Sequence, residues 1–133
     1  RIKVCYPLPD RVSNRTELWF MIEEVKDRIR LVHILEAIER LQKYAGGLCK
    51  EELEADVLRY YGIVKNIEII GEAARMLSTP FKETHTAVNW RMIANMRNFL
   101  VHEYFRVDSE VVWEVIHTEI VDLKTHILNY LNG

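Results

Sequence analysis

The sequence predicts an all-α fold, an antiparallel bundle of four main helices with one short extra helix. Three observations carry this. Apolar residues recur at helical spacing along most of the chain, and nowhere does the sequence alternate as a strand would. Breaker clusters at Gly46-Gly47 and Ser78-Thr79-Pro80 then divide the pattern into helix-sized pieces.

Residues 1–20 read differently from the remainder. Pro7 and Pro9 prevent a continuous helix there. Leu18-Trp19-Phe20-Met21-Ile22 is too short for a signal-peptide core and runs directly into Glu23-Glu24. With Arg1 as its first residue, this stretch is either an added leader or over-extended reading frame, with Met21 as the natural start, or an arm packing Trp19 and Phe20 on the body. The helical domain proper spans residues 21–133.

The first helix covers about residues 22 to 45. Leu31, Ile34, Leu35, Ile38, Leu41 and Ala45 form its stripe, while Arg30, His33, Arg40 and Lys43 lie mostly off it. His33 therefore reads as a solvated-face histidine. Lys50 to Asp56 suits a short helical turn. A long helix follows, with Val57, Tyr60, Val64, Ile67, Ile70, Ala74 and Leu77 on one side. Glu68, Glu72 and Arg75 share its polar face as ordinary surface ion partners, each pair contributing a few tenths of a kcal/mol. Glu72 is also a candidate acid for orienting catalytic groups. Ser78-Thr79-Pro80 ends this helix, and residues 81–88 read as a polar linker with His85 exposed. Asn89 caps a helix that starts at Trp90 and continues to about residue 105. Asp108 caps the last helix, whose stripe is Val112, Ile116, Ile120, Leu123, Ile127 and Leu131; His117 and His126 read as surface residues on it.

Composition narrows the function classes. A chain of 133 residues, 49% hydrophobic and 29% charged, is a soluble single domain with a real core. No apolar run approaches membrane-spanning length. The net charge of −2 advertises no global affinity for nucleic acid, so an RNA site must be a local patch. Residues 89–106 supply one, setting Arg91, Arg97 and Arg106 against Glu103 alone. Cys5 and Cys49 form neither a metal-ligand pattern nor a disulfide framework, which fits free thiols in the cytoplasm. With no Gly-rich phosphate loop and no zinc spacing, no cofactor is expected.

The chemistry concentrates in Arg97-Asn98-Phe99-Leu100-Val101-His102-Glu103-Tyr104. A permanent cation beside a group that titrates near neutrality can hold a phosphate and move a proton. That pairing suits RNA cleavage without a metal. The spacing Arg-x4-His is weak evidence by itself, since about 0.4 such pairs are expected by chance from eleven arginines and five histidines. Arg28 and His33 form a second copy. Requiring a tyrosine two residues later lowers the expectation to about 0.02, and only the Arg97 copy passes, because Leu35 follows the first.

On a regular helix through residues 90–105, Arg91, Asn95, Asn98 and His102 form a polar stripe and Met92, Met96 and Phe99 an apolar side. Arg97 and His102 would stand about 140° apart. Either the helix bends near His102, or Arg97 works with His102 of a second copy. A two-fold dimer would also bring two histidines to one groove, as base and acid. The bland reading of the same residues is a polar cluster that stabilises a helix pair.

Residues 27–38 (Asp27-Arg28-Ile29-Arg30-Leu31-Val32-His33-Ile34-Leu35-Glu36-Ala37-Ile38) resemble the first helix of HepT-like proteins. Asn66-Ile67-Glu68-Ile69-Ile70-Gly71-Glu72-Ala73-Ala74 resembles their long helix. Trp90-Arg91-Met92-Ile93-Ala94, leading into Met96 through Phe105, is similar to the family signature, continued by Val107-Asp108 and Val112-Trp113. The likeness covers about residues 25–131. It implies a HEPN-type helical bundle and a metal-independent ribonuclease toxin of a toxin–antitoxin pair, with Arg97 and His102 catalytic in a homodimer cleft. It further implies a cognate minimal nucleotidyltransferase, MntA, that attaches AMP to the motif tyrosine, here Tyr104. Asn98 and Tyr104 would support the catalytic pair. AMP on Tyr104 would add a negative charge beside Arg97 and compete with substrate phosphate. A different class also fits: a non-catalytic module that binds a nucleotidyltransferase and presents a substrate or nucleotide to it.

Overall fold

The computed structural model describes residues 15–96, 98, 101–102, 106–107 and 109–133, with residues 101, 102, 106 and 107 described by backbone alone. The expectations for residues 1–14, Arg97, Tyr104 and Asp108, and for the His102 side chain, lie outside the described residues.

The all-α class holds. Helix α1 spans Arg15–Ala45, α2 Lys50–Leu53, α3 Val57–Met76, α4 Thr79–Thr84 and α5 Trp90–Ala94. A C-terminal run follows as α6 (Ser109–Glu114), a π-helical turn (Val115–Glu119) and α7 (Ile120–Asn132). Helices α1 and α3 and the C-terminal run enclose the core, in which Ile34, Ile38, Leu41, Ile67, Ile70, Ile116, Ile120 and Ile127 are fully buried. Each is the residue its 3.6-residue stripe turns inward, and each contributes about 1.5–3 kcal/mol by leaving water. Val57 is the exception among the α3 stripe residues, being 62% exposed in the first turn. No described helix is long and apolar enough to cross a membrane.

Three sequence expectations need correction. Ser78-Thr79-Pro80 ends α3 and also opens α4. The Ser78 hydroxyl accepts from Phe81 N, and Pro80 sits in the first turn, where a missing N–H costs nothing. The polar linker is therefore half helix. His85 closes that helix and is not a solvent-exposed loop residue. Its ring stacks on Phe81 at 4.0 Å and meets the edge of Tyr130 at 4.6 Å. His117 is not free on the surface either. Its two ring nitrogens lie 2.8 Å from the Trp113 carbonyl and 3.0 Å from the Gly46 carbonyl, and its ring stacks on Trp113 at 4.2 Å. The distant partners Gly46 and Tyr130 made these two histidines unreadable from local pattern.

The long motif helix is the largest departure. Asn89 caps α5 as expected, its side chain accepting from Met92 N. The helix stops at Ala94, and Asn95 takes φ −92° and ψ 2°, the bridge conformation of a turn. Met96 and Asn98 are helical again, but Val101–His102 is extended and pairs antiparallel with Arg106–Val107. Val101 and Val107 are β-branched residues that favour extended backbone, and their pairing outweighs the helical period here. The described residues therefore do not form the regular helix through 90–105 on which the 140° separation rests.

Candidate active site

Local packing positions the segment that leads into the motif. Helix α5 lies against α3 at Gly71, where a Cβ would come within 3.2 Å of the Ala94 carbonyl and 3.3 Å of that of Ile93. Only a glycine lets the two backbones approach so closely without a shift. Trp90 is buried and donates its indole N–H to the His85 carbonyl at 2.8 Å, fixing the start of α5. Ile93 and Met96 are buried beneath it.

The polar side of this segment faces water as expected. Arg91, Asn95 and Asn98 are all exposed, and Asn98 N donates to the Asn95 carbonyl at 2.8 Å. Two exposed amides and a guanidinium in one stripe can meet phosphate and sugar oxygens of a single strand. On the other side, Met92 and Met96 join Val111 and Val115 to floor a cleft of 340 Å³, rimmed by Glu114, Thr118 and Glu119. The π-helical turn supplies three of its lining residues, Val115, Thr118 and Glu119. This cleft is bordered by chain on both sides of the Arg97–Tyr104 motif.

Glu72 is placed elsewhere. It lies exposed on α3 and takes both Arg75 contacts, at 2.6 Å and 3.2 Å. The Arg75 guanidinium holds its carboxyl below the usual glutamate range. It lines a 460 Å³ groove between α1 and α3 with Arg30, His33, Lys65, Glu68, Ile69, Ala73 and Met76. Among the described residues, none from α5 lines that groove. Among the described residues, Arg91, Asn95 and Asn98 are exposed along one short segment, and Glu72 lies apart from them on α3 with Arg75.

One built polar contact escaped the sequence reading. Asp27 is buried at 5% exposure and accepts from Ser78 N at 2.8 Å and from Ser78 Oγ at 2.5 Å, with Arg30 3.7 Å away. It locks α1 to the start of α4. Its position on the core stripe, four residues before Leu31, was the available signal.

A family model described as "Ribonuclease HepT-like" matches residues 34–129. The chain is 36% identical over 94 residues to a protein of Thermococcus cleftensis named "Probable ribonuclease HepT", covering 71% of this chain and 86% of the relative. It is 39% identical over 101 residues to a candidate RNase, TTE0752, of Caldanaerobacter subterraneus subsp. tengcongensis, covering 76% of this chain and 90% of the relative. No solved structure matches.

Proposed function

The chain belongs to the ribonuclease HepT-like family, and from that premise we propose that it is a metal-independent endoribonuclease, the toxin of a toxin–antitoxin pair. The observation that carries the reading is the intact run Arg97-Asn98-Phe99-Leu100-Val101-His102-Glu103-Tyr104 in a chain of that family. His102 takes the proton of a ribose 2′-hydroxyl as that oxygen bonds to phosphorus. The P–O5′ bond breaks, and a proton is returned to the leaving oxygen, by His102 of a second copy in a homodimer. Arg97 stabilises the charge that develops on the non-bridging oxygens. Asn98 and Tyr104 position these groups. The exposed row Arg91, Asn95, Asn98 supports the reading by offering a strand its polar contacts.

Control falls to a minimal nucleotidyltransferase of the MntA kind. The Tyr104 hydroxyl attacks the α-phosphorus of ATP, pyrophosphate leaves, and the attached AMP places a phosphodiester where substrate phosphate would bind.

The test is cleavage of RNA in EDTA by wild type, His102→Ala and Arg97→Ala, with the upstream ends mapped. The expected product carries a cyclic 2′,3′-phosphate. His102→Ala should lose about 10²–10⁴-fold in rate, and Arg97→Ala about 10²–10³-fold, each melting at the wild-type temperature. Activity abolished by EDTA and restored by magnesium would refute the metal-free mechanism. Full activity in His102→Ala would refute its assignment.

A further inference from the structure

Helix α1 is apolar on two opposite sides. One carries the core residues Leu31, Ile34, Leu35 and Ile38. The other carries Leu18, Ile22, Val25 and Ile29, at spacings of four, three and four residues, the repeat of a helix-pairing seam; Val32, next in the repeat, packs against the core. Ile29 and Ile38 are about 180° apart around the helix axis. Leu18 is 44% exposed, Ile22 40% and Ile29 39%, while Val25 is half-buried. Single exposed apolar residues are ordinary, but four in register on one helix form a continuous strip about 16 Å long.

We propose that this strip is an interface between two copies of the chain, paired antiparallel about a two-fold axis. Charge at the ends of the strip selects both partner and direction. Arg15 precedes the apolar run, and Glu36 and Glu39 follow it at the same spacing. Parallel pairing would set Arg15 on Arg15 and Glu36 on Glu36. Antiparallel pairing with Ile22 opposite Val25, and Leu18 opposite Ile29, brings Arg15 within one turn of Glu36 of the second copy, at both ends. The same register lays Lys26, now 3.6 Å from Glu23, beside the exposed Trp19 indole of the other copy. The four strip residues Leu18, Ile22, Val25 and Ile29 then face one another across the axis, the self-complementarity that a two-fold interface requires.

Four side chains per copy form a patch smaller than a standard stable interface, so the association is concentration-dependent and weak. No residue of the segment 89–107 takes part, so the pairing is independent of the catalytic reading. It would add to a dimer formed at the motif.

Sedimentation velocity of the full chain between about 1 and 100 µM tests this against Ile22→Glu and Ile29→Glu, a range in which a weak interface of this size populates. The weight-average mass of wild type should rise with concentration toward twice that of either variant, with both variants melting as wild type does. Masses that coincide throughout overturn the pairing and leave the strip to a different protein. Direction is read by disulfide trapping in a Cys5→Ser, Cys49→Ser background. Ile22→Cys chains mixed with Val25→Cys chains should give mainly the mixed disulfide. Predominant Ile22→Cys homodisulfides would overturn the antiparallel register, and no disulfide at all would overturn the interface.

Discussion

Replacing Asp27 by alanine should reveal how much of the fold depends on one buried carboxylate. Asp27 is 5% exposed and receives two hydrogen bonds from Ser78 across 51 residues of sequence. Hydrogen bonds to a charged group contribute about 1.5–3 kcal/mol each, and the Ser78 amide and Arg30 would lose their acceptor. Taking the low end for each bond gives about 3 kcal/mol for Asp27→Ala. With an unfolding entropy of about 2.1 cal/mol/K per residue, a chain of 133 residues has about 0.28 kcal/mol/K, so the melting temperature should fall by about 11 °C. Ser78→Ala removes one of the two bonds together with the α4 cap, and should cost about 1–2 kcal/mol. Thermal and guanidinium unfolding followed by circular dichroism on both single variants and the double variant completes a cycle. The coupling should exceed about 1 kcal/mol. Additive effects, or an Asp27→Ala loss below about 1 kcal/mol, would refute the inference that this pair locks α1 to α4.

Gly71→Val should push α5 off α3, because a Cβ there already meets two backbone carbonyls at 3.2–3.3 Å; a loss of about 1–3 kcal/mol in unfolding free energy, with RNA cleavage falling further than His85→Ala lowers it, would show that this contact sets the motif's entry. Glu72 should titrate below the usual glutamate range by carbon-detected NMR and return to that range in Arg75→Ala. Since its carboxyl is depressed in the folded state, its small contribution to stability is present above the unfolded glutamate range and lost as pH falls through the folded value. A Glu72 titration unmoved by Arg75→Ala would contradict the pairing.

What the sequence determined by itself was whatever is written in short-range periodicity. The stripes of α1, α3 and the C-terminal run, from Leu31 to Leu131, are buried almost as their spacing requires, because a helix with an apolar side can satisfy its backbone internally and has one direction to turn. The Asn89 cap was equally local, its partner Met92 lying three residues on. Tertiary structure decided the rest. Asp27 finds Ser78 across 51 residues, Trp113 gives its indole proton to Leu48 across 65, and His117 reaches Gly46 across 71. Such partners are fixed by packing, and no window of neighbouring residues contains them. The expected motif helix broke at Asn95 for a nearer reason, the pairing of Val101–His102 with Arg106–Val107 a few residues on. There, extended backbone and cross-strand hydrogen bonds outweighed a helical period that the sequence carried intact.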